Sequence, residues 1–385
     1  MSTLFSKVKS GIIASTVEEA AAAGASSFIG THHGTFHCDE ALATALLKLL
    51  PAFADHAVVR TRDPAQLAQC DIVVDVGGEY DDAAKRYDHH QKTFDTVLDG
   101  YKTKLSAVGL VYKHYGREIL GAALAAEGAA AAAAAPPSAE LVDVLYHKMY
   151  AGFVEHIDGI DNGVEVADGE LRYAVSTTLS SRVSHLNPAW NDTAVSHAEV
   201  NERFRGAMLL TGGEFVEALQ RQAAVWWPAR ALVQNAMGPG ALTSGCIEAG
   251  CPPGEVLVLD TYCPWQAHLF DLEAAAAKGA AEAGLGEMVL AKYVLYADTH
   301  GMWRIQAVPA SPGSFAQRLP LPAAWRGVRD GALSEVAGIA GCSFVHAAGF
   351  IGGNATKEGA MAMAAKAIAI GTEAPAPPEK VARTE

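Results

Sequence analysis

Side chains that can bind metal ions are concentrated in one short stretch of the sequence, THHGTFHCDEALA (31–43), directly after the apolar-leaning segment SSFIG. Imidazoles and carboxylates without a cluster of thiolates favour Mn²⁺, with Mg²⁺, Fe²⁺, Zn²⁺ or Co²⁺ as alternatives. The candidate ligands in this stretch are His32, His37 and Asp39. We interpret Cys38, which lies between two of them, as a packing residue.

Three further stretches contain candidates of the same kind: DIVVDVGG, YDHH and EHIDGIDNG. Their candidate residues are Asp75, Asp88, His89, His90, Asp158 and Asp161. Each alone is more often a turn, cap or surface residue, but so many carboxylates in one crevice would repel one another unless cations balanced them. The number of ligands predicts two divalent ions, an arrangement that ionises water and hydrolyses phosphate esters. Asp75 is the natural bridge, because a carboxylate at a strand end is rigidly held.

The elements that must position these residues follow an α/β order. The segments SSFIGTH, HAVVRTR and DIVVDVGG predict strands, and CDEALATALLKLLP predicts a helix between the first two. The nearly continuous β-branched run of the third strand is typical of a parallel sheet buried on both faces. Ligands of open α/β sheets collect outside the carboxyl ends of the strands. The candidates that follow these strands are therefore predicted to converge on one crevice.

The rest of the chain predicts a helical connector and a second domain. The segment KLSAVGLVYKHYG predicts an amphipathic helix ended by Gly116, and for the alanine-rich segment 121–138 an exposed insertion is favoured over continued helix. Strands are predicted at GEVLVLD, MVLAKYVLYAD and WRIQAVP, and a last helix at TKEGAMAMAAKAIAIG. The predicted organisation is a flexible leader (1–25), an α/β metal-binding domain (26–192), a helical connector (193–236), a smaller α+β domain (237–371) and a disordered tail (372–385).

Composition limits the classes of protein that fit. The chain has 385 residues, half of them hydrophobic, and a formal net charge of −14, which predicts a globular protein and excludes broad electrostatic coating of nucleic acid. A phosphate-rich ligand would need a local basic patch or bound cations. The six scattered cysteines predict free thiols in a reducing, intracellular compartment. No run of roughly 18 apolar residues occurs, so no membrane span is predicted.

The sequence resembles the MYG exonuclease family (melanocyte proliferating gene), which is related to the DHH phosphoesterase superfamily. The similarity extends from about residue 28 to about 370 and rests on long matches in the same order, among them IGTHHGTFHCDEALA, CDIVVDVGGEYD, RYDHHQKTF, LSSRVSHLNPAWN and FVHAAGFIGGNATKEGA. The resemblance implies a DHH-like N-terminal domain and a metal-dependent phosphodiesterase. It further implies 3′-to-5′ exonuclease action on single-stranded RNA that releases nucleoside monophosphates.

The resemblance also implies roles for the metal-site candidates. One ion would be bound by His32, His37 and Asp75. The second ion would be bound by Asp39, Asp75, His89 and one aspartate of DGIDNG.

Other positions of the same region keep more than one interpretation. The superfamily's Asp-Thr-Gly turn resembles DNG and favours Asp161, while Asp158 stays open. By the same resemblance His90 would contact the scissile phosphate, and Asp88 would orient a histidine, as metal-bound imidazoles require. His33 is either a bystander or a donor to substrate.

The C-terminal segment HAAGFIGGNAT resembles the glycine-rich substrate loop of the superfamily. Glycines allow close backbone approach to phosphate, and the helix that follows offers its amino-terminal N–H groups. The alternative is a glycine-rich turn with a core histidine. Separately, arginines of this region could bind the phosphates of a nucleic-acid backbone. The substrate-binding candidates are His346, Gly349, Gly352, Gly353, Asn354, Arg304 and Arg318.

Two other functions fit the same residues. One is a small-molecule phosphohydrolase, such as a pyrophosphatase or an oligonucleotide or cyclic-dinucleotide phosphodiesterase, and the other is a metal-bound regulatory protein without activity. The family implies location in the mitochondrion or the nucleus, with the cytoplasm as the alternative. The leader lacks arginine and contains Glu18 and Glu19, which count against a mitochondrial presequence. The sequence leaves the oligomeric state open.

Overall fold

The computed structural model describes residues 3–130, 137–192, 194–238, 248–283 and 288–373. The chain divides into two compact units, Met1–Val225 and Trp226–Glu385, and the division lies within the segment predicted as a helical connector. Among the described residues, no helix combines the length and the apolar character that crossing a membrane requires. The predicted α/β class, with a parallel sheet, a helical middle and a smaller sheet-plus-helix region, is confirmed.

The first unit contains a six-stranded, mostly parallel sheet. Its strands are Ile13–Ala14 (β1), Phe28–Thr31 (β2), Ala57–Arg60 (β3), Ile72–Val74 (β4), Tyr80–Asp81 (β5) and Arg86–Tyr87 (β6). Their order is β1-β3-β2-β4-β6-β5, and only the β5–β6 pair is antiparallel. Since β2, β4 and β6 are neighbours and point the same way, the residues that follow them meet at one edge of the sheet.

Helices cover this sheet and extend from it. They are Ser6–Ser10 (α1), Val17–Ala22 (α2), Cys38–Leu47 (α3), Pro64–Leu67 (α4), Ala107–Ala130 (α5), Ala139–Met149 (α6), Glu155–Asp161 (α7), Leu179–Ser184 (α8) and His197–Arg221 (α9). A 3₁₀ turn precedes α1 at Thr3–Phe5, and π-helical turns follow α6 at Tyr150–Val154 and α9 at Gln222–Trp226. All ten residues of α3 are buried, so this helix forms the centre of the unit.

The segment predicted to be a flexible leader is folded over its described residues. Strand β1 pairs in parallel with β3, and Thr16 caps α2 by accepting a hydrogen bond from Glu19. The Arg205 side chain of α9 donates to the carbonyls of Val8 and Gly11, at 2.6 and 2.7 Å. The Ala/Ser-rich composition hides this order, because the anchoring partners lie far away in the sequence.

Helix α5 does not end at Gly116 but continues to Ala130, through the first half of the alanine-rich segment. Residues 131–136 of that segment lie outside the described part of the chain, as do residues 374–385 of the predicted tail. A Cβ atom at position 116 would lie 2.7 Å from the Tyr146 ring. Glycine is therefore used here for close packing of α5 on α6, not as a helix terminator.

The second unit contains a five-stranded sheet of strands Val256–Leu259 (β7), Tyr293–Ala297 (β8), Trp303–Ala307 (β9), Cys342–Val345 (β10) and Ile351–Asn354 (β11). Their order is β10-β11-β9-β8-β7, with only β7 and β8 parallel. The helices are Ala229–Met237 (α10), Trp265–Glu282 (α11), Asp330–Ala337 (α12) and Lys357–Glu373 (α13), with a 3₁₀ turn at Ala323–Trp325. The predicted β7, β8, β9 and last helix are confirmed, whereas residues Ile351–Asn354 of the predicted glycine-rich loop form strand β11.

Candidate metal centre

The candidate ligands lie together at the carboxyl edge of the first sheet. His32 directly follows β2, Asp75 directly follows β4, and His89 comes two residues after β6. The remaining candidates reach this edge from helices: Asp39 from the first turn of α3 and Asp161 from the end of α7. The convergence predicted from the strand order is present.

Asp75 lies at the centre of the cluster. Its Oδ2 atom is 3.3 Å from His32 Nε2, and its Oδ1 atom is 3.3 Å from His89 Nε2. The backbone at Asp75 has φ of +59°, a left-handed conformation that aspartate tolerates better than most residues. The two oxygens of one carboxylate therefore face two different imidazoles, which is the arrangement of a carboxylate that bridges two ions.

Three groups of ligand atoms are each compact enough to surround an ion, with all atoms within 4.8 Å of one another. The groups are His32, His37, Glu40 and Asp75; Asp75, His89 and His90; and His37, Asp39 and Asp161. Asp161 Oδ2 also lies 3.1 Å from His89 Nε2. Two of these groups share Asp75 and two share His37.

Unpaired buried atoms test whether divalent cations fit this cluster. Among the described residues, Asp39 Oδ1, Asp75 Oδ1 and His89 Nε2 are buried without a hydrogen-bond partner. A buried polar atom left unpaired costs roughly 1–3 kcal/mol. All three atoms face the same cluster, and all three are good ligands for a hard or borderline cation. The residues present therefore fit bound metal ions.

The two buried histidines are oriented so that their Nε2 atoms face the cluster. The Nδ1 atom of His32 lies 3.2 Å from the His33 carbonyl, and that of His89 lies 3.3 Å from Asn162 Oδ1. Asn162 is itself fixed, because its amide donates to the carbonyl of Lys104 at 2.9 Å. A proton on each Nδ1 leaves the Nε2 lone pair for a metal ion, as is usual for imidazole ligands.

Carboxylates control the protonation of these histidines. Burial lowers the pKa of His32, but its hydrogen bonds to Asp75 and Glu40 outweigh this and raise the pKa to about 10. Burial also lowers the pKa of His89, and Asp161 and Asp75 raise it to about 10. Without cations, both imidazoles therefore hold protons at neutral pH. Metal ions and protons compete for the same atoms.

Asp39 shows the complementary effect of crowding. Complete burial raises its pKa well above the ordinary value, and the neighbouring charges of Asp75 and Asp161 raise it further. Its Oδ2 atom accepts a hydrogen bond from the Ala107 N–H, at 3.3 Å. A cation in the cluster would offset the repulsion among these carboxylates.

The geometry separates the two aspartates that the sequence left as alternatives. Asp158 Oδ1 accepts hydrogen bonds from the backbone N–H and the hydroxyl of Ser106, and Oδ2 accepts one from the Tyr150 hydroxyl. Both oxygens are engaged, and Asp158 belongs to none of the three ligand groups. Burial raises the pKa of Asp158 to about 7. Asp161, not Asp158, therefore lies in the candidate metal centre.

Asp88 and His90 form a pair at the edge of the cluster. Asp88 Oδ1 lies 2.6 Å from His90 Nδ1, and Asp88 Oδ2 accepts a hydrogen bond from the Gly78 N–H at 2.6 Å. The His90 side chain is 62% exposed, with its Nδ1 atom 3.7 Å from Asp75 Oδ1. Asp88 thus orients His90, the histidine that can reach a bound molecule, while Asn162 orients His89.

A cavity of about 990 Å³ has a floor formed by the metal-ligand candidates His37, Asp39, Asp75, His89 and Asp161. Hydroxyl groups from the segment 176–184 line another side, and Lys92 and Lys104 line it as well. Cys38 also borders the cavity, and burial raises the pKa of its thiol to about 12, so that it stays neutral. This agrees with its interpretation as a packing residue.

Comparison with known proteins places both units in one family. The model of the MYG1 exonuclease family, described as an uncharacterised protein family (UPF0160), matches residues 28–368. The human protein named MYG1 exonuclease is 47% identical over 349 residues, which cover 89% of this chain and 85% of the human protein. The mouse MYG1 exonuclease is also 47% identical, over 91% of this chain and 86% of its own length.

The chain belongs to this family. A more distant relative, the MYG1 protein of Dictyostelium discoideum, is 41% identical over 88% of this chain and 96% of its own length. The matched region contains every candidate ligand of the metal centre and every substrate-binding candidate. The relation to the DHH phosphoesterases stays a prediction.

Sequence reasoning missed Glu40 in this MYG-family site. Its Oε1 atom lies 3.1 Å from His32 Nε2, and its side chain is completely buried. Both carboxylate oxygens also accept from the His37 N–H, at 2.8 and 3.0 Å, as a glutamate does at the third position of a helix. The sequence pattern of a helix cap could have predicted the hydrogen bonds of Glu40 to the His37 N–H. It could not have predicted the contact of Glu40 with His32.

Sequence reasoning also missed the residues that hold the loop between His32 and His37. The Asn187 amide makes two hydrogen bonds with the backbone of Phe36, accepting from its N–H at 2.9 Å and donating to its carbonyl at 2.8 Å. The Arg60 guanidinium donates to the Gly34 carbonyl at 2.9 Å. The loop is therefore fastened at two points by residues that are not ligands.

Among the substrate-binding candidates, the polar side chains have partners within the second unit. Arg318 forms a 2.6 Å ion pair with Glu273, and Arg304 forms an ion pair with Asp298. Asn354 is completely buried, and its amide donates to the Ala340 carbonyl at 2.9 Å. Each of these contacts stabilises the fold of the unit.

The glycines of the same segment are required by close packing. Cβ atoms at Gly352 and Gly353 would lie 3.0 Å from the Phe344 carbonyl oxygen and 2.7 Å from Ser343 Oγ, inside the sheet. Gly349 has φ of +74°, a turn conformation that favours glycine. His346 is exposed, and its Nδ1 atom accepts from the Ala348 N–H. His346 is therefore the candidate whose side chain is open to a ligand.

Proposed function

We propose that this chain is a metal-dependent 3′-to-5′ exonuclease that hydrolyses single-stranded RNA to nucleoside monophosphates with two divalent cations. Mn²⁺ is the preferred ion and Mg²⁺ the alternative. The observation that carries the proposal is Asp75, whose two oxygens face two separate buried imidazoles. The relatives named exonuclease support the reaction class.

Two sets of side chains, which share Asp75, would bind the two ions. His32, His37 and Asp75 would bind one ion, with Glu40 as a further ligand or as the partner that orients His32. Asp39, Asp75, His89 and Asp161 would bind the other. Two cations bound there would supply the charge that lowers the pKa of a water molecule and offsets the charge of the phosphoryl oxygens.

His90 would act on the substrate instead of the metal. Its exposed ring, held by Asp88, can donate a hydrogen bond to an oxygen of the scissile phosphate. The hydrogen bond to Asp88 raises the pKa of His90, which favours the protonated ring that such a donor needs. We propose location in the mitochondrion or the nucleus, to be checked by imaging of the tagged protein.

The experiment uses a single-stranded RNA labelled at its 5′ end, with the purified chain and Mn²⁺, Mg²⁺ or a chelator. The proposal expects a ladder of products shortened from the 3′ end, release of nucleoside monophosphates, and no reaction with the chelator. The variants Asp75→Asn and His89→Ala should lose activity and keep their fold by circular dichroism. Cleavage of pyrophosphate or a cyclic dinucleotide without cleavage of RNA would instead identify a small-molecule phosphohydrolase.

A further inference from the structure

The cavity above the metal centre has room for much more than ions. Its volume of about 990 Å³ lies at the upper end of the roughly 300–1,000 Å³ typical of ligand pockets. The unpaired buried oxygens of Asp39 and Asp75 face this same space. Its walls are chemically distinct from its floor, so they can contact a part of the substrate other than the scissile phosphate.

One wall is formed by hydroxyl groups on and beside the short helix α8. Leu179 and Val183, one turn apart, are buried and fasten this helix to the unit. Ser180, Ser181 and Ser184 line the cavity from the rest of the helix surface. The amphipathic spacing therefore presents uncharged hydroxyl groups to whatever the cavity binds.

Two of the hydroxyls on this wall are engaged and two are available. The Ser181 hydroxyl pairs with the Thr178 hydroxyl at 2.9 Å, and that of Ser180 pairs with the Cys38 thiol. The hydroxyls of Ser176 and Ser184 make no hydrogen bond with any residue that the structure describes. These two groups can therefore donate to and accept from a ligand at no cost to the fold.

Two lysines complete the lining. Lys104 Nζ lies 5.4 Å from the centre of the Phe94 ring, and Lys92 is exposed at the cavity. Over the described ranges, neither forms an ion pair with a carboxylate. In a chain with a net charge of −14, two ammonium groups at the cavity that are not engaged in ion pairs within the described part of the chain offer a local positive charge to an anionic ligand.

We infer that this wall binds the sugar–phosphate backbone and selects RNA over DNA. Ser176 and Ser184 recognise the ribose 2′-hydroxyl of the nucleotide at the metal centre, and Lys92 and Lys104 bind the phosphate of its neighbour. The inference rests on the proposed nuclease function. A hydroxyl is both donor and acceptor, so it pairs well with a 2′-hydroxyl, the group that distinguishes RNA from DNA at a binding site.

The apolar part of the lining fits the same substrate. Ile157 and Ile160 border the cavity and offer no hydrogen-bonding groups from their side chains. A nucleobase resting on Ile160, which is 40% exposed, would be held without being identified. Recognition of the sugar without recognition of the base would let the site accept RNA of any sequence.

The test compares an RNA and a DNA single strand of the same sequence, with kcat and KM measured separately. The variant Ser176→Ala/Ser184→Ala should raise KM for RNA about tenfold, since each lost hydrogen bond is worth roughly a factor of three to ten. KM for DNA should change less than twofold. Alanine is a good helix former, so α8 is kept. The matched control is Ser26→Ala, an exposed serine at the amino end of β2, on the opposite edge of the sheet.

The lysines give a different signature. The variant Lys104→Gln should raise KM for RNA and DNA by the same factor and make binding less dependent on salt, as loss of a phosphate contact does. An RNA-to-DNA preference that the double serine variant leaves unchanged would overturn the inference. A wild-type enzyme that cleaves RNA and DNA equally well would overturn it too, yet leave the nuclease function standing. A chain that cleaves neither would contradict both.

Discussion

Asn187 should control metal affinity although it binds no metal. Its two hydrogen bonds to the Phe36 backbone hold the loop between His32 and His37 in the conformation that brings both imidazoles to the cluster. The variant Asn187→Ala removes both contacts and leaves the Phe36 N–H and carbonyl without these partners. We expect the metal-free loop to become disordered while the sheet and α3 persist.

The size of the effect follows from the two contacts. Each hydrogen bond contributes about 1 kcal/mol, so re-forming the loop around the ions costs about 2 kcal/mol. That cost corresponds to a rise of roughly 30-fold in the dissociation constant for Mn²⁺. Kd would be measured by isothermal titration calorimetry, with thermal unfolding of the metal-free protein recorded in parallel. The control is Asn235→Ala, an exposed asparagine in α10 of the second unit.

Two outcomes would refute this reasoning. One is a Kd for Mn²⁺ within twofold of wild type in a folded Asn187→Ala variant, which would mean that the loop is held without Asn187. The other is complete unfolding, which would mean that Asn187 stabilises the whole unit and not the loop alone. The variant Asn187→Asp keeps the acceptor and loses the donor, so its Kd should lie between wild type and alanine.

Three further predictions concern the ligands and their protons. Asp161→Asn should abolish activity. Asp158→Asn should keep metal binding, because the Asp158 oxygens face Ser106 and Tyr150. If titration with metal ions shows equal losses of metal binding in the two variants, this assignment is wrong. Glu40→Gln should weaken Mn²⁺ binding by about tenfold, because one charge–charge contact is lost. Calorimetry measures this change, and an unchanged Kd for Mn²⁺ would show that Glu40 acts only as a helix cap. The pKa values of His32 and His89 are raised to about 10 in the folded protein, from about 6.5 for a histidine in the unfolded chain. Protons on these imidazoles therefore stabilise the metal-free site fully below about pH 6.5, and this stabilisation is lost as pH rises toward 10. Mn²⁺ affinity should therefore rise from pH 6 to pH 9, and binding should release protons. Calorimetry in buffers of different ionisation enthalpy measures the number of protons released. A Kd for Mn²⁺ that does not change with pH would contradict this prediction.

The floor of the site was predictable because parallel strands bring distant residues to one edge. Asp75 ends a continuous β-branched run, and His32 follows a neighbouring strand, so their meeting follows from strand order alone. The resemblance favoured Asp161 but left Asp158 open, since both lie in one helical turn and only the packing of Asp158 against Ser106 and Tyr150 separates them.

Residues that act through distant partners could not be predicted. Asn187 is 151 positions from Phe36, and no local pattern marks an amide that fastens a loop so far away. Arg318 carried the chemistry of a phosphate contact, but its ion pair with Glu273, 45 positions away, became visible only in the folded unit. Charge pairing of this kind depends on tertiary contacts that a single sequence does not encode locally.

We propose that Asp75 would bridge two divalent cations, and electron paramagnetic resonance of the Mn²⁺-loaded protein can decide this. We expect two Mn²⁺ ions per chain by elemental analysis, with the multiline spectrum of a spin-coupled pair, and loss of that coupling in Asp75→Asn. A six-line spectrum of isolated Mn²⁺ at one ion per chain, or a coupled pair that survives Asp75→Asn, would contradict it.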